Sequence, residues 1–298
     1  MKHAQSTAGK GIFYLVLSAF LYSIMPVAIR FLGRENLTPI SQVFLRYIFA
    51  FLAAFIYFFF IKRTSLHVKK HDWGALLVAT VVGYALTNLL FTYGIMYTQV
   101  GNALFLFYSY TILTPVLAYL MLREKMNIYN VVSVCISLVA LILLFQPNSV
   151  PTWKIGGFFA ILSAVGQSFY LILRKKLANY PAGFMMIANT FIGVVVMGIL
   201  SLTMDAQFYT GGTFASLSPR AWFVTFLFGI DNFLAWFAMT KGFEYFKAAS
   251  GSLILLSELV FGIIFAFMFF AEIPTLLTAV GGVLILAAIS TVVLKGAA

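Results

Sequence analysis

The sequence predicts an all-α integral membrane protein of ten transmembrane helices, built as two inverted five-helix repeats. Three observations lead there. Apolar runs of about 18–25 residues divide the chain, and each is long enough to cross a bilayer. Lys and Arg collect in alternate connections between those runs. The first half is echoed in the second at an offset of 145 residues early and 148 late. Five spans per half is an odd number, so the second half enters the membrane upside down.

The composition is 62% hydrophobic and only 9% charged, with 33 Phe among 298 residues. A soluble domain of this size cannot hide so much apolar surface, so the solvent for most of the chain is lipid. The net charge of +11 is spread singly and in pairs between apolar runs. That pattern orients a chain in a membrane and does not track phosphates, so no nucleic-acid partner is expected. Cys135, the one cysteine, lies in an apolar run, which excludes disulfides and cysteine metal sites. His3, His67 and His71 fall outside the spans. A histidine metal site and a Ser-His-Asp triad are therefore not expected, nor is a cofactor. The N-terminal MKHAQSTAGK is short and basic. The run after it is too long for a signal-peptide core and reads as a retained first span.

The expected spans follow in order. The first covers Gly11–Phe31, the second Ile40–Ile61 and the third Trp73–Tyr97. A tight turn leads to the fourth, Val100–Leu122, and the fifth is Ile128–Phe145, stopped by the Gln-Pro-Asn of the 146–152 linker. The second half supplies Ile155–Leu173, Ala182–Thr203, Ala221–Phe243, Ala248–Phe270 and Ile273–Leu294. The organisation is thus one five-helix repeat over residues 1–147 and another over 153–298. Asp205–Pro219, the longest polar stretch, reads as a Gly/Thr/Ser-rich loop.

With the N-terminus in the cytoplasm, fourteen Lys and Arg lie on the cytoplasmic side. Arg30, Arg34, Lys154 and Arg220 alone lie opposite, and Arg46 is inside a span. Both termini are expected to be cytoplasmic. The repeat itself is carried by Leu17/Leu162, Ser18/Ser163, Ala19/Ala164, Ser23/Ser168 and Arg30/Lys175, then by Tyr97/Tyr245, Ser109/Ser257, Ala118/Ala266 and Glu124/Glu272.

Two acids stand out. Asp231 and Glu258 each lie ten residues into an apolar run, about 15 Å deep at 1.5 Å per residue. A carboxylate at that depth costs about 2.5–3.5 kcal/mol on insertion scales, so it faces a cavity or a partner. Glu258 shares a helical face with Ser250, Gly251 and Gly262, and Asp231 with Ala235, Ala238 and Gly242. Small residues mark close helix contact or room for a ligand. Either acid could carry a proton or pair with a cationic solute. The bland alternative is a buried acid held for packing. The position matching Glu258 in the first half is Tyr110, an asymmetry that suggests one substrate polarity or one coupling site rather than two. Arg46 could hold a solute carboxylate or serve structure, and structure is the preferred reading. Glu124 and Glu272 read as caps or interface contacts.

Five-span halves, FLRYIFAFLAAF in the second span, and the Gly-to-Glu segments ending at Glu124 and Glu272 resemble the EamA-type members of the drug/metabolite transporter superfamily. The resemblance covers essentially the whole chain. It implies a plasma-membrane carrier for small metabolites (the inner membrane, in a bacterium), with a central cavity lined by spans 1, 3, 4, 6, 8 and 9. Spans 5 and 10 would lie at the periphery. Polar and aromatic residues recur on the expected lining spans: Ser18 and Tyr22, Thr87 and Asn88, Tyr110 and Thr114, Ser163, Gln167 and Tyr170, and Trp236. The expected substrate-binding set is Tyr22, Asn88, Tyr110, Gln167, Tyr170, Asp231, Trp236 and Glu258, with Glu258 and Asp231 as coupling residues. Pro26 and Pro115 lie inside spans and should loosen them.

The expected function is secondary transport by alternating access of an amino acid or related metabolite, in the export direction. A small solute, the lipid bilayer and a coupling proton or cation are the expected partners. A carrier for a cationic amine, such as a choline-like compound, is the alternative. The sequence holds no P-loop, so ATP hydrolysis is not expected. Gly229-Ile230-Asp231 resembles an aspartyl intramembrane protease only loosely, and an enzyme is not expected.

Overall fold

The structure is a computed structural model describing residues 2–61, 67–124, 126–145, 155–270, 273 and 275–293. The 146–152 linker and Glu272 lie outside the described residues. Among those described, every regular element is helical. Nine helical stretches are long and apolar enough to span a membrane, and Leu276–Thr291 is a shorter apolar helix where the tenth span was expected. Asp205–Pro219 contains two short helices, Gln207–Thr210 and Thr213–Ser216, where a plain loop was expected.

Local chemistry sets the ends. Thr38 and Ser218 cap the second and eighth spans, each accepting a backbone N–H three residues on, from Ser41 (3.1 Å) and Ala221 (3.0 Å). Pro39 and Pro219 then occupy the first helical position, where no N–H is needed. The first span stops at Asn36 and the fourth at Arg123, both left-handed at φ 63° and 53°.

Three spans are discontinuous. The first consists of Lys2–Tyr22 and Met25–Arg34. The fourth consists of Val100–Phe107 and Tyr110–Leu122, and the ninth of Ala248–Ile254 and Ser257–Phe270. Pro26 has no N–H for the carbonyl of Tyr22, which accounts for the first break. The other two are matched: Ser109 donates to the Leu106 carbonyl (2.6 Å) and Ser257 to the Ile254 carbonyl (2.9 Å), each three residues back. The hydroxyl takes up a carbonyl that the interrupted ladder leaves free. The third span carries a π-helical stretch, Val78–Leu86, ending just before Thr87 and Asn88.

The main packing pairs cross between the halves: span 1 on spans 8 and 9, 2 on 7 and 8, 3 on 6 and 7, 4 on 6 and 9, and 5 on 10. Exchanging each span with the one five places on maps this set onto itself. Spans 8 and 2 approach so closely that a Cβ at Gly229 would lie 2.8 Å from the Arg46 carbonyl oxygen. Span 5 is the least buried of the long helices and leans on span 10 through Ser133, which donates to the Ala288 carbonyl at 3.1 Å. Side chains such as Phe60, Leu120 and Ile199 face outward, as a lipid-facing belt requires.

Candidate functional site: a central cavity closed by Glu258

Trp236 is the hub of the bundle. The rings of Tyr84 and Tyr170 meet it edge to face at 4.6 Å each, and Tyr22 does so at 6.1 Å. Tyr47 stacks on Tyr84 at 4.8 Å. Beside this cluster lies a cavity of about 30 Å³, lined by Tyr22, Met25, Thr87, Asn88, Phe91, Phe107, Tyr110, Gln167, Trp236, Leu255 and Glu258. It has room for a water or two and is too small for an organic solute. The break in each discontinuous span lies at this cavity, through Tyr22 and Met25, Phe107 and Tyr110, and Leu255 and Glu258.

Six of the eight expected binding residues line the cavity: Tyr22, Asn88, Tyr110, Gln167, Trp236 and Glu258. Tyr170 does not. Its hydroxyl accepts from Asn189 Nδ2 (2.8 Å) and bonds Thr240 Oγ1 (3.0 Å), so it is engaged in packing. Asp231 faces a separate pocket of about 460 Å³ between spans 1 and 8, with Ile24, Val27, Phe31, Arg220 and Phe228 among its walls. It sits on another face of span 8 from Trp236, a difference that depth along the helix does not carry. Ser18 donates to the Ala235 carbonyl, Ser163 to the Thr87 carbonyl and Thr114 to Ser168, so these hydroxyls join helices.

Glu258 is the single charged lining side chain of the cavity, 7% exposed and in the first turn of Ser257–Phe270, where a helix favours negative charge. Tyr108 neighbours it. Both residues also line a larger pocket of about 470 Å³, with Ser23, Pro26, Val100, Gly101, Phe145, Gly262 and Thr275. Glu258 and Tyr108 therefore stand in the wall between the cavity and a pocket at the bundle end away from the N-terminus. The small-residue face expected for Glu258 divides. Gly262 borders the larger pocket with no atom near its Cβ position, whereas a Cβ at Gly251 would lie 2.4 Å from the Phe243 ring.

Arg46 is 1% exposed. Its Nη2 donates to Asn88 Oδ1 at 3.3 Å and its guanidinium lies 4.5 Å from the Phe228 ring centroid. Among the described residues no carboxylate forms an ion pair with it.

Sequence reasoning passed over Glu244. At the N-terminal end of the bundle it accepts from Arg174 (3.3 Å), the Ala182 backbone N–H (3.1 Å) and Lys241, which joins spans 6, 7 and 8. The signal was a lone acid three residues after Lys241, opposite the basic run at 174–176. Glu124 accepts from the Ala248 N–H at 3.5 Å, an interface contact at the start of the ninth span. Among the described residues no cluster of His, Cys, Asp and Glu could hold a metal ion.

The EamA-like transporter family model matches residues 9–146 and again 154–294. A protein described as an S-adenosylmethionine uptake transporter from Rickettsia felis is 23% identical over 97% of this chain and 94% of its own. An uncharacterized transporter from Clostridium kluyveri is 25% identical over 68% of each chain. Human solute carrier family 35 member G1 is 23% identical over 93% of this chain and 76% of its own. One crystal structure, 13% identical, superposes with a TM-score of 0.76 over 96% of this chain and 97% of that one, a likeness of fold alone. With both halves matched, the chain belongs to the EamA-like transporter family.

Proposed function

We propose that this protein is a secondary transporter that moves a small organic solute bearing a positive group across the plasma membrane. It works by alternating access between two inverted five-helix halves, with both termini in the cytoplasm. One observation carries the reading: the cavity at the three helix breaks has aromatic walls and a single charged lining side chain, Glu258. Aromatic faces and a carboxylate are the chemistry that receives an organic cation. An amino acid presents such a group as its ammonium and an amine presents little else, so both classes fit. S-Adenosylmethionine, named for several relatives, carries a sulfonium, an ammonium and an aromatic base. Glu258 pairs with the solute's cation or, when vacated, with a proton, which couples the two. Asp231, in its separate pocket, acts on coupling and does not touch solute. Export and uptake use the same cycle, and the gradient of solute or proton sets the direction.

The test is counterflow in proteoliposomes with S-adenosylmethionine, lysine and choline, each in wild type and Glu258→Gln. The charge-assisted bond lost is worth about 1.5–3 kcal/mol, so binding of the accepted cation should weaken at least about tenfold. Unchanged binding and an unchanged pH response in Glu258→Gln would sink the proposal.

A further inference from the structure

Around Tyr84 the bundle holds more hydrogen-bond donors than it can satisfy. Arg46 Nε and Nη1, Asn232 Nδ2 and Trp236 Nε1 are all buried, and none finds an acceptor among the described residues. Their residues form one connected group. Arg46 donates to Asn88 Oδ1, Asn88 Nδ2 to the Tyr84 carbonyl (2.9 Å), and the Tyr84 hydroxyl to Asn232 Oδ1 (2.8 Å). The Tyr84 ring in turn meets Trp236. Against these four donors stand three unpaired acceptors, Asp231 Oδ2, Asn189 Oδ1 and Gln42 Oε1, the last one turn before Arg46 on the same span. Burying a donor without a partner is costly, and burying a cation without one is costlier still. Such a surplus suits a guest that brings acceptors and negative charge.

Arg46 is placed to receive it. It is 1% exposed, lacks an ion-pair partner among the described residues, and keeps two nitrogens of its planar fork free. Its bond to Asn88 is long at 3.3 Å, and Asn88 and Trp236 are both walls of the central cavity. Widening the cavity at Asn88 exposes the guanidinium from behind it. A carboxylate matches the fork geometry, which a lysine does not offer.

We propose that Arg46, supported by the Trp236 and Asn232 N–H groups, is the carboxylate-binding subsite of the transport cavity, at the other end of the solute from Glu258. The subsite rests on the reading of the cavity as a transport site. It makes the accepted solute a zwitterion or a carboxylate-bearing cation, and it makes an amine lacking the carboxylate a poor one.

Three pairs differing only by that carboxylate serve as probes: S-adenosylmethionine with its decarboxylated form, lysine with cadaverine, and tyrosine with tyramine. Binding to the purified full chain is measured by thermal shift and by competition in counterflow. Wild type should prefer the carboxylate-bearing member of the accepted pair by about tenfold or more. Arg46→Gln should remove that preference, and Arg46→Lys should keep part of it. Glu258→Gln should weaken both members together and leave their ratio alone, which separates this subsite from the cation site. A purely structural Arg46 would lower thermal stability in Arg46→Gln without changing the ratio, and that result overturns the proposal. So does a wild type that takes both members equally, a comparison that needs no variant to fold. If wild type binds no member of any pair, the transport reading and the subsite fall together.

Discussion

Tyr22 and Tyr170 look alike in sequence, as tyrosines on cavity spans, yet their hydroxyls do opposite things. Removing the Tyr170 hydroxyl in Tyr170→Phe strands Asn189, whose Nδ2 donates to it at 2.8 Å and whose Oδ1 already lacks a partner. Thr240 loses a bond too, but a helical threonine can turn to a carbonyl one turn back. The cost therefore falls mainly on Asn189. An unsatisfied buried amide costs about 1–3 kcal/mol, and interhelical bonds in membranes fall at the low end. The expected loss is about 1–2 kcal/mol, a factor of roughly 5–30 in the unfolding equilibrium. Tyr22→Phe loses only a 3.9 Å contact to Met239 Sδ, worth under about 0.5 kcal/mol. Its hydroxyl lines the cavity, so its effect belongs on solute binding. Reversible unfolding in mixed micelles and the counterflow KM measure the two effects separately. If Tyr170→Phe were as stable as wild type and raised KM tenfold, Tyr170 would touch solute and its exclusion from the site would be wrong.

Two further predictions follow from the bundle ends. Glu244→Gln should destabilise by about 2 kcal/mol, because Arg174 stays buried with its charged partner gone; thermal melting checks this, and a loss below about 0.5 kcal/mol would mean that the Leu177 carbonyl suffices for Arg174. In a Cys135→Ser background, a cysteine at Gly212 should label from outside intact cells and one at Lys69 should not. The reverse pattern would overturn the proposed orientation.

Much of the fold was legible because lipid leaves few options. An apolar run of the right length must be a helix, and the expected boundaries of the fifth span, Ile128–Phe145, match the helix. The helix breaks were less legible. Pro26 announced one, but Leu255 and Leu256 lie at another with neither Pro nor Gly beside them. The sequence match Ser109/Ser257 held the clue, since both serines back-bond at the matching interruptions. The acids show the other limit. Counting residues gave depth along the helix, and depth suited Glu258 and Asp231 equally. Which face each presents depends on the neighbour it meets, and span 8 turns Asp231 away from the cavity. Arg46 shows a related limit: residue type and depth do not tell which of its nitrogens find an acceptor, and among the described residues Nε and Nη1 find none.

The crossing of the packing pairs between halves bears on how the chain is made. Spans leave the ribosome in order, and the principal partners of spans 1 to 5 are spans 8, 7, 6, 6 and 10. When the first five have been inserted, Arg46 and Asn88 are already in the membrane, while Phe228, which later stacks on Arg46, has yet to be synthesised. The early half therefore waits in lipid with part of its polar surface uncovered, and its largest interfaces begin to form when span 6 reaches spans 3 and 4. The last partner to arrive is span 10, whose mate, span 5, has the least buried surface of its own. Biogenesis thus exposes the first half to quality control for as long as the second half takes to be translated.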